Sequence, residues 1–276
     1  NLGLQVLRRR EDGFHDINTV FYRLPVGDRL LVGVNDSTTI SVQLRSTQDI
    51  PLEENLVYKA AKLLQTTADI AQGAHIVLEK IIPSGAGLGG GSSDAASTLL
   101  ALRELWQADI DDAELHRLGA QLGSDVPFFL QTATAAVATG RGEILEPADV
   151  ALPYYIVVVH PGIHVSTPWA YRQVNRTTEQ PAVDFVSLLA QPDPKQLRHF
   201  LVNDFEAVVF AEYPAVAAIR DALYEEGAAL ALLSGSGSAV FGLFETDRAA
   251  RRAAELFAAA TVFVCPPAKH LPDISG

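Results

Sequence analysis

Hydrophobic and polar positions along the chain follow two rhythms. Residues 2–7, 17–24, 29–34 and 39–44 are short runs rich in Val, Ile, Leu, Phe and Thr, set off by Gly, Asp and Asn, and are predicted to be strands. Leu56, Ala60, Leu63, Leu64 and Ile70 then recur at helical spacing, which predicts a helix from 55 to about 71. A strand over 75–82 stops at Pro83. Helices follow over 92 to about 106 and over 111–122, the second with Asp111 or Asp112 as its N-cap. The rhythm changes at 147–153. Beyond it come an apolar strand at 154–159, helical patterns at 185–190, 195–202 and 214–225, strands at 228–233 and 239–244, a helix at 247–259 and a strand at 261–265. That order is a split βαβ, ferredoxin-like unit. The expected fold class is α+β. Two domains are expected, 1–150 and 151–276, with the boundary at 148–152 and the last residues able to pack back on the first domain. The cleft between them is the expected ligand site.

Composition narrows the function classes. The 276 residues are 48% hydrophobic and 20% charged, enough for a substantial core and unlike a disordered chain. The formal net charge of −12 repels phosphate backbones, so nucleic-acid and anionic-membrane partners are not expected. No apolar run reaches the roughly 18 residues needed to span a bilayer, and no secretory segment opens the chain. Cys265 is the single cysteine, which excludes a disulfide framework and fits a reducing cytoplasm. Its apolar context reads as a small buried hydrophobe. Methionine is absent, so further residues are expected to precede Asn1.

Candidate chemistry concentrates at residues 83–94, where five glycines fall within seven positions between a predicted strand and a predicted helix. Glycines permit positive φ, so successive N–H groups of Gly85, Gly87, Gly89, Gly90 and Gly91 can face one concavity. The next helix adds its unpaired N–H groups and positive dipole end. Ser92 and Ser93 can cap that helix or donate to a phosphate. The loop is no Walker A, because no Gly-Lys-Ser/Thr follows, and no Rossmann fingerprint. Asp94 in the first helical turn suits the dipole but repels a phosphate, so either it points away or a magnesium ion lies between.

Three further segments stand out. Asp125, in the stiff stretch Gly123-Ser124-Asp125-Val126-Pro127, reads as an ordinary turn or cap aspartate, or as a carboxylate that takes a hydroxyl proton in phosphoryl transfer. The small residues 234–238 read as a hairpin turn or as a backbone able to approach phosphates closely. His15, in the turn Asp12-Gly13-Phe14-His15-Asp16, is a surface histidine or a ring-recognition residue. The seven histidines show no metal-ligand spacing, and no metal ligand is assigned.

Asn1-Leu2-Gly3-Leu4, Asp12-Gly13-Phe14-His15, the loop from Gly85 to Ser93, Gly123 to Phe129, Gly140-Arg141-Gly142-Glu143 and Leu233 to Ser238 occur together in an order that resembles the GHMP kinase superfamily, and within it the family of 4-diphosphocytidyl-2-C-methyl-D-erythritol kinases. The likeness covers nearly the whole chain. It implies a two-domain fold, with an N-terminal β-rich α/β domain and a C-terminal ferredoxin-like domain. It implies transfer of the ATP γ-phosphate to the 2-hydroxyl of the cytidylated substrate in the non-mevalonate route to isoprenoids, with Mg2+ assisting and a small cytidine diphosphate derivative as partner. A monomer or homodimer is expected. Asp125 matches the catalytic aspartate. Asn55, Pro83, the five loop glycines, Ser92 and Ser93 match the ATP site. Asn1, Ser236 and Gly237 are placed beside the substrate, and Phe14, His15, Tyr171 and, less closely, Phe21 around its cytosine. The family has a lysine two residues before the asparagine matched by Asn1, expected upstream of this sequence, and commonly a tyrosine at Phe14. Other readings are a GHMP-type kinase of mevalonate, homoserine or a sugar, or a silent ligand sensor of the same fold.

Overall fold

A computed structural model describes residues 1–174, 178–190 and 192–267. Along the chain, β1 (Leu4–Arg9), β2 (His15–Tyr22), β3 (Arg29–Asn35) and β4 (Ile40–Arg45) precede α1 (Leu56–Thr67). Then β5 (Gly73–Glu79) leads through the glycine-rich loop into α2 (Gly90–Leu105), α3 (Asp112–Leu122) and α4 (Val126–Leu130). After β6 (Ala135–Thr139) and β7 (Ile144–Ala148) come β8 (Tyr155–His160), α5 (Thr167–Gln173), α6 (Phe185–Ala190), α7 (Pro194–Phe200), α8 (Glu206–Glu212) and α9 (Pro214–Glu225). The chain closes with β9 (Leu230–Leu233), β10 (Val240–Phe244), α10 (Asp247–Glu255) and β11 (Thr261–Cys265). Among the described residues no helix is long and apolar enough to cross a membrane.

The chain forms two compact units. The first gathers Asn1–Val26, Gly85–Leu88 and the described residues from Ala133 onward; the second comprises Gly27–Ser84 and Gly89–Thr132. In the first unit, one antiparallel sheet has the order β1-β2-β6-β7 and the other β11-β8-β10-β9. Numbered within the C-terminal part, the second order is 4-1-3-2, the arrangement expected of a split βαβ unit. Every residue of β9 and β10 is buried, and five of the six in β8. Ile156, Val158, Leu230, Leu232, Phe241 and Leu243 face a core shared with Val20, Ala135, Leu189 and Leu197. The alternate residues Val157, Val159, Ala231, Leu233, Val240 and Phe244 face another, with Val209, Val216, Leu223 and Ala250. A sheet covered on both faces needs no polar alternation, which is why these strands read as continuous apolar runs.

The second unit pairs β5 with β3 antiparallel and with β4 parallel. Helices α1, α2 and α3 cover this sheet through Ala60, Leu64, Leu99, Leu102 and Leu118, all fully buried. At about 1.5–3 kcal/mol for each large apolar side chain removed from water, this layer is a main source of the unit's stability. Helix α2 begins at Gly90, two residues before the predicted start. The strands β6 and β7 and the short helices α4, α5 and α8 are not foreshadowed by the hydrophobic pattern. In β6, Ala135, Ala136 and Ala138 are fully buried where larger side chains would signal a strand.

Candidate functional site

In the second unit, the glycine-rich loop ends in a helix start built for close approach. Gly89 is the N-cap of α2, in the left-handed region at φ 69°, and no side chain caps the helix. A Cβ at Gly89 would lie 3.0 Å from the Phe129 ring, and one at Gly90 2.8 Å from Ile82 Cγ2. Ser92 and Ser93 occupy the third and fourth helical positions, so neither is the cap and both hydroxyls are left for another role. The first N–H groups of α2 therefore keep the anion-binding character of an uncapped helix start. Asn55 is buried as the N-cap of α1, its side-chain oxygen accepting from Val57 N at 2.9 Å. Pro83 is buried where the loop begins.

Asp94 points away from solvent, but its partner is a side chain that the sequence reading did not single out. Its carboxylate accepts from Lys80 Nζ at 2.9 Å, and the same ammonium lies 2.7 Å from Asp28 Oδ2. Burial, with the like charge of Asp28 adding to it against Lys80, pushes the Asp94 carboxyl up to about 6. The signal was Lys80 set between the apolar runs Ile76 to Leu78 and Ile81 to Pro83, with Glu79 beside it: a buried cation requires buried anions.

Asp125 precedes α4 and makes no capping hydrogen bond to it, which removes the ordinary-cap reading. Ser124 Oγ donates to Oδ1 at 3.4 Å. Burial holds this carboxyl above the ordinary carboxylate range, against the Ser124 hydroxyl, which lowers it. A base raised in this way lies closer to working pH. The turn runs beside the start of α2, since a Cβ at Gly123 would lie 3.9 Å from Ser92 Oγ.

In the first unit, the middle of the glycine-rich loop is bound to the second glycine-serine loop. Ser234 Oγ donates to Gly87 O at 2.8 Å, and Ala239 N to Ala86 O at 3.0 Å. Gly87 is at φ 77°, and a Cβ there would collide with the Ser234 carbonyl oxygen. The 234–238 segment is thus a hairpin turn that grips the loop. Ser236 Oγ lies 2.7 Å from Thr167 Oγ1, and Gly237, at φ 86°, packs on Leu233. Asn1 Nδ2 donates to Thr19 Oγ1 at 2.9 Å, and the Asn1 side-chain oxygen lies 3.2 Å from the place of a Cβ on Gly235.

Asn203, absent from the sequence candidates, holds the turn from below. Its amide donates to Leu233 O and Gly235 O, both at 2.8 Å, and its oxygen accepts from Phe205 N at 2.9 Å. Asn203→Ala leaves these buried groups unpaired and is expected to cost about 2–4 kcal/mol, read as a lowered Tm and denaturant midpoint. A loss below about 0.5 kcal/mol, the level of a neutral surface change, would remove Asn203 from this role.

The same unit holds the aromatic candidates. His15 stacks on Tyr171 with centroids 5.2 Å apart and planes 20° apart, and Tyr171 meets Phe205 edge-on at 4.8 Å. Burial, then the nearby Arg9, lowers the His15 pKa, so its ring is neutral near pH 7 and offers one donor and one acceptor. Phe14 is 54% exposed, with the Arg141 guanidinium 4.7 Å from its centroid. Phe21 is buried on β2 six residues beyond His15, about 20 Å along the strand, with its ring near Gly142. The structure therefore joins His15 to Tyr171.

Residues 55–132 match the family described as GHMP kinases N terminal domain, and residues 185–260 that described as GHMP kinases C terminal. A 4-diphosphocytidyl-2-C-methyl-D-erythritol kinase of Chlorobium phaeobacteroides (strain BS1) is 46% identical over 261 residues, 93% of this chain and 90% of that one. The chain belongs to the 4-diphosphocytidyl-2-C-methyl-D-erythritol kinase family. A crystal structure of a 4-(cytidine 5'-diphospho)-2C-methyl-D-erythritol kinase is similar at TM-score 0.82 and 40% identity, over 96% of this chain and 95% of that one. A homoserine kinase structure from Cytophaga hutchinsonii shares the fold at TM-score 0.69 but only 19% identity, over 91% and 89% of the two chains. The α+β GHMP kinase fold predicted from the motifs is the fold of this chain, and the chain is a phosphotransferase acting on an alcohol group.

Proposed function

We propose that the protein transfers the γ-phosphate of ATP to the 2-hydroxyl of 4-diphosphocytidyl-2-C-methyl-D-erythritol, in the non-mevalonate route to isoprenoids. The observation that carries the reading is the uncapped start of α2 beside the Asp125 turn, in a chain 46% identical to a kinase of that name. Gly89, Gly90 and Gly91 let the ATP phosphates approach the helix N–H groups, and Ser92 and Ser93 add hydroxyl donors. Asp125 accepts the proton of the 2-hydroxyl as its oxygen attacks the γ-phosphorus and ADP departs. His15 and Tyr171 grip the cytosine, with Phe14 at its exposed side, and supply binding energy distant from the reacting atoms.

Among the described residues no cluster of three His, Cys, Asp or Glu side chains is placed to hold a metal. A magnesium ion would enter with the nucleotide phosphates, beside Ser92 and Asp125, and neutralise the charge that develops on them. The proposed setting is cytoplasmic, as a monomer or homodimer. The proposed domain boundary at 148–152 falls between the two matched stretches, 55–132 and 185–260.

The test is ADP release by the full-length protein with the cytidylated substrate, mevalonate or homoserine as acceptor. Turnover is expected with the first alone. His15→Ala is expected to raise KM for it about tenfold or more, the effect of losing roughly 1.4 kcal/mol of binding, with KM for ATP nearly unchanged. An unchanged acceptor KM would sink the cytosine assignment. Absence of turnover with every acceptor would favour a ligand sensor.

A further inference from the structure

We infer that Lys80 is a positioning residue for the phosphate-binding helix start, tying the entry of the glycine-rich loop to its exit through a buried Asp28–Lys80–Asp94 bridge. Lys80 lies three residues before Pro83, and Asp94 lies in the first turns of α2. The Lys80 ammonium spans that interval, 2.9 Å from Asp94 Oδ2 and 2.7 Å from Asp28 Oδ2, with the three side chains only 2%, 6% and 0% exposed. Asp28 uses its other oxygen to accept the N–H groups of Ile81 and Ile82, at 2.5 and 2.8 Å. One side-chain unit thus holds the backbone entering the loop and the helix leaving it.

The bridge also lies under the site itself. A Cβ on Gly90 would be 3.4 Å from Lys80 Nζ, which places the ammonium beneath the first residue of α2. The ammonium faces two carboxylates, so the bridge adds no net positive charge to the helix start, and what it supplies there is geometry. Stability alone does not account for the arrangement. Burying three charges costs their hydration, and apolar residues of similar volume commonly serve the fold as well. What charged, directional contacts provide is a fixed spacing between the two ends of the loop, set before nucleotide arrives. The inference rests on the nucleotide reading given above and names a positioning residue for it outside the glycine-rich motif.

Lys80→Met is expected to raise KM for ATP about tenfold or more, roughly the loss of one well-placed charged hydrogen bond, while KM for the alcohol acceptor stays near the wild-type value. Because Lys80→Met leaves Asp28 and Asp94 as buried carboxylates without a cation, the deciding variant combines Lys80→Met with Asp28→Asn and Asp94→Leu. It leaves no buried charge, keeps an oxygen at residue 28 for the N–H groups of Ile81 and Ile82, and is expected to regain thermal stability without regaining ATP affinity. A triple variant with wild-type KM for ATP would show a structural role only and overturn the inference, as would an unchanged KM in Lys80→Met. Wild-type protein supplies a check independent of folding in the variants. Amide hydrogen exchange at Ile81 and Ile82 is expected to be equally slow with and without ATP, and exchange that becomes slow only when ATP is added would overturn the pre-set spacing. Lack of turnover in the wild type fails the kinase reading, whereas turnover with unaltered ATP kinetics in the variants fails this inference alone.

Discussion

Asp125→Asn is expected to lower kcat by about 10²- to 10⁴-fold, the usual contribution of a positioned general base, with KM for ATP nearly unchanged. The carboxylate makes no capping bond to α4, so the amide removes a proton acceptor without removing a helix cap. Burial raises the Asp125 pKa, so the native state binds the Asp125 proton more tightly than the unfolded state does. Stability from this group is present at low pH and lost as pH rises through the raised native value. At neutral pH the asparagine variant is therefore expected to match or exceed the wild-type Tm. In activity the sign reverses, because only the ionised carboxylate accepts a proton. Wild-type kcat is expected to fall as pH drops through that raised value, and the variant lacks this limb. Steady-state kinetics across pH, paired with thermal melts, read both effects. Turnover that survives Asp125→Asn would remove Asp125 from the proton transfer.

The second large effect is expected at Gly87, where Gly87→Ala lowers kcat/KM by about 10²-fold or more, the scale of an ångström-sized misplacement of a reacting group. Residue 87 is at φ 77°, which an L side chain adopts with strain. Its Cβ would strike the Ser234 carbonyl and lie 3.2 Å from both the nitrogen and the oxygen of Gly237. These are backbone atoms, so they cannot rotate aside. Moving them disturbs the Ser234–Gly87 and Ala239–Ala86 hydrogen bonds and the two carbonyls held by Asn203. Gly85→Ala is the internal control. It carries comparable strain, at φ 68°, but its Cβ meets the His164 ring at 2.9 Å, a side chain that can turn away. Equal losses at both positions would mean that backbone strain, rather than the join between the loops, sets the effect.

Some of this was legible along the chain. Residues 83–94 announced a glycine-rich turn into a helix start, because five glycines in seven positions between an apolar strand and a helical pattern mark a backbone that turns through positive φ. The stiff turn around Asp125 was visible for its proline and flanking aromatics, although whether its carboxylate capped a helix was open until the hydrogen bonds of α4 were known. The 4-1-3-2 sheet followed from element order, since a split βαβ unit leaves little topological freedom. Strand β6 was missed because alanines pack closely there without the bulk that marks a strand.

Sequence by itself determined the local devices: the glycines at positive φ, the helix periods, the apolar strands buried on both faces and the family motifs in their order. Each depends on neighbours within a few residues, where sterics and periodicity operate directly. Tertiary structure alone decided the long-range partners. It brought residue 234 to residue 87, residue 203 beneath the turn, Tyr171 onto His15 and Lys80 between Asp28 and Asp94. Such pairings arise when a folded core buries polar groups and each must find a partner that the chain can carry to it. No spacing rule encodes them, because the partner's position in sequence is set by topology rather than by distance along the chain.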